Sequence, residues 1–374
     1  MKVAIISAFE TYNNRIQDMA IYYETRGYQV TIVKSSFLHM SKEKYSKERQ
    51  NEIIIDVPTY NKNLSIKRIY SHILFSKRVK EFIETNSFDL LHVIIPPNKL
   101  CKDLVRLKNK PKIIFDVMDF WPETLPIPYV NKIKLINRWS GMRNKYISNA
   151  DYVITECKLF ENELVKIGNV KNIETVYFTR NKLNSCEISK INQNDIHICY
   201  LGSINNIIDI KYIVSLITEL NKYKKVHLHI IGDGEKKEQL LTMLVKNQIN
   251  YQFYGKIYDI QDKQIILKKC HFGLNIMKQD IFVGLTMKSI DYFQFGLPVI
   301  NNISYDTKDM VETYFAGVNV TEDINKSVNK ILEVYNLEDL RKMQQGVELL
   351  FDEMFSIDNF TNKMDKILRE LNYD

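Results

Sequence analysis

The 374-residue sequence is sparing with the residues that punctuate or cross-link a chain. Twelve Gly and eight Pro are too few for a collagen-like or low-complexity protein. The five cysteines (Cys101, Cys157, Cys186, Cys199, Cys270) are odd in number, scattered, and nowhere in C-x-x-C spacing. That argues against a disulfide framework or a structural zinc site and fits a reducing compartment. No run approaches the ~18 apolar residues of a membrane span. The opening run from Met1 to Phe9 is too short for a signal peptide and reads as a first strand. The expectation is a cytoplasmic protein, either free or resting on the inner face of the cell membrane without crossing it.

What is present is a globular balance of 45% hydrophobic and 26% charged residues, with 11% aromatic, ample for two domains and against disorder. Charge is uneven. Residues 1–180 hold 29 Lys and Arg against 19 Asp and Glu, whereas 181–374 hold 23 against 26. A basic first half suits an anionic membrane surface or nucleic acid, and equally a solvated lysine-rich face with no partner.

Short apolar runs alternate with amphipathic stretches, the pattern of βαβ units. Strands are expected at 3–9, 29–34, 52–57, 90–95, 113–117 and 152–155, with helices at 15–25, 66–85 and 99–107. Residues 130–149 read as a basic amphipathic helix and 181–195 as a linker. A second series follows, with strands at 196–201, 226–231, 251–254, 272–276 and 298–301. Its helices fall at 208–223, 236–246, 261–269 and 287–295, and a helical tail at 337–371. This predicts an α/β protein of two doubly wound domains, 1–185 and 186–350, with 351–374 as a C-terminal helix able to pack back on the first domain. A ligand cleft is expected between the domains, at the carboxyl ends of the strands.

Three local signals carry chemistry. Gly202-Ser203 and Gly232-Asp233-Gly234 each follow a strand, where glycine lets backbone N–H groups approach a phosphate or simply makes a tight turn. Neither is a dinucleotide G-x-G-x-x-G or a Walker loop. The third is the stretch 284–300. There Thr286 can cap a helix whose first free N–H groups, with Met287, Lys288 and Ser289, suit a diphosphate. Asp291 lies one turn on from Lys288 and can accept two hydrogen bonds from ribose hydroxyls. A capped helix with a surface Lys–Asp pair explains the same residues structurally.

In this order and spacing the motifs resemble the nucleotide-sugar half of GT-B glycosyltransferases, family 4 in particular. The turn Phe253-Tyr254-Gly255-Lys256-Ile257 and the pattern from Lys288 through Asp291-Tyr292 to Gly296-Leu297-Pro298-Val299-Ile300 match it. In the first half, Phe88-Asp89-Leu90-Leu91-His92 and Ala150-Asp151-Tyr152-Val153-Ile154-Thr155 resemble the same family. The stretch Asp116 to Glu123 (with Asp119, Trp121 and Pro122) resembles bacterial polysaccharide enzymes, so that the whole looks most like glycosyltransferases of capsular and exopolysaccharide synthesis.

The resemblance implies transfer of a sugar from a nucleoside diphosphate sugar, UDP-sugar first, to a glycan or lipid-linked acceptor, with retention of anomeric configuration. It also implies no cofactor and no metal, since no D-x-D ends a strand in the second half. Lys288, Asp291 and Asp119 are the expected catalytic groups. Gly202, Ser203, Gly232, Asp233, Gly234, Lys256, Ile257, Thr286, Met287 and Ser289 would join Lys288 and Asp291 around the donor, and Asn13, Asn14, Arg15, Asn98, Trp121 and Glu123 would meet the acceptor. A nucleotide-sugar epimerase and a silent partner subunit share the fold.

Departures from the pattern are specific. Of the two acidic positions usual in the family, the second is Asp291 and the first is Val283, with Asp280 nearby. No Arg or Lys closely follows Gly202, and Glu10-Thr11-Tyr12-Asn13-Asn14-Arg15 stands where a glycine-rich loop is usual. His92 reads as a core histidine. His227 and His229 share one strand face, but with no nearby third ligand a buried strand is the better reading than a metal pair. The basic residues at 130–145 (Lys132, Lys134, Arg138, Arg143, Lys145) and at 66–82 (Lys67, Arg68, Lys77, Arg78, Lys80) suggest two stretches suited to a membrane surface.

Overall fold

The computed structural model describes residues 1–45, 49–62, 65–125, 134–168, 170–183 and 195–373, without the side chains of 134–136. Lys132, the start of the expected 130–149 helix, Cys186 and most of the expected linker lie outside the described residues. The chain forms two compact units, one of Met1–Thr179 with Phe360–Asp374 and one of Arg180–Asn359. The division thus falls at Thr179/Arg180 rather than at 185.

The first unit contains β1 (Lys2–Ser7), α1 (Asn13–Thr25), β2 (Gln29–Ser35), β3 (Glu52–Ile55), α2 (Ile66–Glu84), β4 (Leu90–Ile95), α3 (Lys99–Leu104), β5 (Lys112–Val117), α4 (Lys134–Asn144), β6 (Tyr152–Thr155), α5 (Lys158–Ile167) and β7 (Ile173–Thr175). Its sheet is parallel throughout, in the order β3-β2-β1-β4-β5-β6-β7. Helices cover both faces, so β4 buries all six residues of Leu-Leu-His-Val-Ile-Ile. The Ser65 hydroxyl starts α2 by accepting from the Arg68 N–H.

The second unit contains β8 (Asp195–Leu201), α6 (Ile210–Leu220), β9 (Lys225–Ile231), α7 (Lys237–Lys246), β10 (Asn250–Gly255), α8 (Ile260–Leu267), β11 (Phe272–Asn275), α9 (Met287–Gln294), β12 (Val299–Asn301), α10 (Asp306–Tyr314), β13 (Gly317–Asn319), α11 (Ile324–Val334) and α12 (Leu337–Met354). Its parallel sheet runs β10-β9-β8-β11-β12-β13. Strand order reverses between β8 and β11, the topological switch point where open α/β sheets bind ligands beyond the strand ends.

The expected single tail helix is two helices, α12 and α13 (Ile357–Glu370), because Ser356 breaks the run and caps the second by accepting from the Asn359 N–H. From Phe360 onward α13 belongs to the first unit. There Tyr22 donates to Asp365 (2.6 Å), and Lys363 and Lys366 pair with Glu174.

Candidate functional site

In the second unit the three motifs converge at the carboxyl ends of β8, β9 and β10. The loops are laced by backbone bonds: Gly202 N–H to Ile231 O (2.9 Å), Ile204 N–H to Asp233 O (2.9 Å) and Gly232 N–H to Gly255 O (2.7 Å). A Cβ on Gly232, where φ is +147°, would lie 1.9 Å from Gly202 O, and one on Gly234 would lie 2.3 Å from Ile204 O. These two glycines are therefore required by the close approach of the neighbouring loop of the protein itself. Gly202 differs. At φ +119° its Cβ direction is open except for Lys288 Cε at 4.0 Å. Ser203 is exposed beside it and its carbonyl accepts from the Tyr200 hydroxyl (2.7 Å).

Helix α9 is fixed to this end of the sheet in two ways. The Tyr292 hydroxyl accepts from Leu201 N–H (2.7 Å) and donates toward Cys199 O, joining α9 to β8. At the other end Thr286 caps the helix, accepting from Ser289 N–H (3.2 Å) and donating to Asn275 Oδ1 (2.9 Å). Asn275 in turn donates to Asn301, and Asn301 to Asn319, each at 2.8 Å. This ladder of in-register side chains across β11, β12 and β13 was not read from the sequence, where the three asparagines stand far apart.

Lys288 sits in the first turn of α9. Its ammonium is buried without a hydrogen-bond partner, 4.7 Å from the centre of the Tyr200 ring. Burial pulls its pKa down from the lysine range to about 8. A cation at a helix N-terminus, desolvated and next to open space over Gly202, is a site that an anion completes. Asp291 is part-exposed, and its Oδ1 accepts from Arg180 Nε at 3.1 Å. Arg180 was missed because it comes from 111 residues away in the chain. Met287 and Lys256 are exposed, Ile257 is half-buried, and the Asp233 carboxylate accepts from Gly234 N–H (2.8 Å).

In the first unit the sequence-picked residues are held mainly by one another. Arg15 is fully buried: it pairs with Asp116 (3.0 Å) and donates to Tyr177 O (3.2 Å), so it is an internal cation rather than an acceptor-facing one. Glu123 is bound by buried Arg143 (2.8 Å), which also donates to Trp121 O (2.8 Å) and stacks on Phe120. That corrects Arg143 as a membrane-facing charge, and buried Arg68 likewise. Arg138 and Lys145 are exposed. Asn98 is buried and donates to Trp121 O (2.8 Å), its Oδ1 unpartnered. Asn13 is half-buried and Asn14 exposed.

Asp119 accepts from the Thr124 hydroxyl, and burial pushes its carboxyl up to about 6. The Trp121 ring lies under the Arg68 guanidinium (3.9 Å), edge-on to Phe9 (5.3 Å) and stacked with His72 (6.1 Å). His72 is buried with both ring nitrogens unpartnered. Sequence reasoning missed His72 and took Arg68 for a surface charge. Spacing on α2, four residues apart on one buried face, was the signal that could have joined them.

His227 and His229 do have near neighbours. His197 of β8 pairs in register with His227, and Asp195, two residues before His197 on β8, comes close to both of these histidines, which corrects the expectation of no third ligand. Among the described residues no helix is long and apolar enough to cross a membrane, and Cys101, Cys157, Cys199 and Cys270 are buried.

Residues 195–336 match the family model "Glycosyl transferases group 1". The chain is 25% identical over 304 residues to the chitobiosyldiphosphodolichol beta-mannosyltransferase of Debaryomyces hansenii, an alignment covering 69% of this chain and 62% of that relative. It thus spans less than two thirds of the relative's length. Sucrose-phosphate synthase from Thermosynechococcus elongatus superposes with a TM-score of 0.74 at 13% identity, covering 99% of both chains. Anabaena HepE, solved in complex with UDP-glucose, superposes with a TM-score of 0.65 at 12% identity, again over 99% of both. With two parallel-sheet, Rossmann-like units, this chain has the GT-B fold, and its second unit carries the region described by the group 1 glycosyl transferase model.

Proposed function

We propose that the protein is a glycosyltransferase that moves a hexosyl group from a nucleoside diphosphate sugar to a glycan or lipid-linked acceptor in surface-polysaccharide synthesis. The observation that carries this reading is the buried, unpartnered Lys288 ammonium beside open space over Gly202. The group 1 family match over 195–336 supports it, as does a fold relative solved with UDP-glucose, which favours a UDP-sugar donor.

In this reading the diphosphate lies over Gly202 and Ser203. Lys288 and the N–H groups at the start of α9 stabilise charge as it grows on the departing diphosphate, a role that needs no metal ion. Asp291, oriented by Arg180, takes the ribose hydroxyls, and the Gly255–Ile257 turn the base. Asp119 and Trp121 meet the acceptor, with retention of configuration.

Labelled UDP-, GDP- and dTDP-sugars with and without a lipid-linked acceptor test this. Turnover that requires acceptor is the expected result. An isomerised donor marks an epimerase, and donor binding without either marks a silent subunit.

A lipid-linked acceptor fits one exposed face. Along α2, Ile66 (84% exposed), Tyr70 and Ile73 form an apolar stripe flanked by exposed Lys67 and Lys77. Such a stripe suits reversible docking on an anionic leaflet, each basic residue adding roughly 1 kcal/mol. Vesicle flotation with anionic lipid should recover the wild type and lose Lys67→Glu/Lys77→Glu. Equal recovery with neutral vesicles contradicts the membrane role.

A further inference from the structure

At the amino-terminal ends of β8 and β9, the edge of the sheet opposite α9, a second set of polar side chains converges. Parallel pairing sets His197 directly beside His227, and the two-residue period puts Asp195 and His229 on the same face. One ligand atom from each of Asp195, His197 and His227 lies within 4.8 Å of the other two, and all three residues are part-exposed.

The hydrogen-bond chain around them accommodates a proton arrangement that leaves a ring nitrogen open for a metal. The Tyr254 hydroxyl donates to Gln252 Oε1 (2.9 Å), so its oxygen accepts from His229 Nδ1–H (2.9 Å). His229 Nε2 then accepts from His197 Nδ1–H (3.0 Å), which leaves the His197 Nε2 lone pair bare. His227 Nε2 faces Asp195 Oδ2 at 3.3 Å, and its Nδ1 meets the Asn250 side-chain amide at 2.8 Å. An amide can donate or, rotated, accept, so Asn250 supports either tautomer of His227 and allows its Nε2 to turn from donor to ligand.

We propose that Asp195, His197 and His227 form a binding site for a divalent transition metal of the zinc class, clipping β8 to β9 away from the sugar-nucleotide site. Two imidazole nitrogens and one carboxylate oxygen, with solvent in the fourth position, are a donor set suited to such an ion. Tetrahedral bonds of ~2.0–2.2 Å draw the ligand atoms to about 3.4 Å apart, which small side-chain rotations reach. The His197 and His227 rings, now stacked at 4.6 Å and 12°, splay as the ion enters. The chain from His197 through His229 to Tyr254 is the outer-shell support that holds a ligating imidazole in its tautomer.

Calorimetric titration of the full chain with zinc chloride tests the site. One ion per chain is expected, with affinity lost by at least ~10-fold in each of His197→Ala, His227→Ala and Asp195→Asn, and lowered about 10-fold in Tyr254→Phe. UDP affinity should be the same in all four. Asp195 is part-exposed, so its variant folds even where a histidine variant does not. A wild type that takes up no zinc, or binds it no more tightly than Asp195→Asn and His227→Ala, overturns the proposal.

Discussion

Lys288 holds its ammonium 4.7 Å from the Tyr200 ring centre, buried and without a hydrogen-bond partner, at the mouth of a helix whose dipole also repels it. Protein interiors rarely keep such a charge unless something else completes it. The cost falls on the free protein, and a bound anion would relieve it.

Removal of that cation should stabilise the empty protein. Burial sets the folded-state pKa at about 8, below the ordinary lysine value, so the charge destabilises the fold fully below pH 8 and less as pH rises toward the unfolded value. Lys288→Met should therefore gain about 2–3 kcal/mol at pH 7, with the gain fading from pH 8 and gone above about pH 10.5. Denaturant melts at both pH values check this, and a destabilised variant at pH 7 contradicts it.

Asp291 and Arg180 should act as one unit. Asp291→Ala removes a charged acceptor, costing roughly 1.5–3 kcal/mol of UDP binding per lost hydrogen bond. Arg180→Gln should cost less, and the double variant no more than Asp291→Ala alone, since Arg180 works by orienting the carboxylate. Additive losses would show that Arg180 has an independent part in binding.

The glycines should separate by role. Gly232→Ala drives a methyl to 1.9 Å from Gly202 O and should cost more than about 4 kcal/mol of stability. Gly202→Ala meets only backbone strain, about 1–3 kcal/mol, and should fall mainly on donor binding. Thermal melts and UDP titrations of both read this, and equal stability losses would contradict it.

Asp119 carries a pH signature of opposite sign. Burial raises its carboxyl to about 6, so the ionised form destabilises the fold above pH 6 and costs nothing below the unfolded value near 4. Asp119→Asn should gain up to about 3 kcal/mol at pH 8 and nothing at pH 4. If it also meets the acceptor, turnover falls while UDP affinity holds.

Much of the fold was legible because parallel strands buried on both faces leave near-continuous apolar runs, as in β1 and β4. The edge strands β7 and β13 were not, since three residues show no period. The capped helix α9 was readable from Thr286, Lys288 and Asp291 because its chemistry is local. What stayed hidden is what folding brings from afar: Arg180 against Asp291, Arg143 against Glu123, and His197 beside His227. Glycine was legible as a requirement but not as to its cause, since the atom that excludes a Cβ at Gly232 lies on another loop.

The most direct test compares UDP with UDP-glucose by calorimetry in the wild type and in Lys288→Met. UDP carries the charge that the leaving group acquires, so it stands in for the departing diphosphate. The wild type should bind both, and Lys288→Met should lose at least ~10-fold more affinity for UDP than for UDP-glucose, the mark of a cation that acts on the developing charge. Equal binding of UDP by the two proteins would contradict the donor site at Lys288 and Gly202.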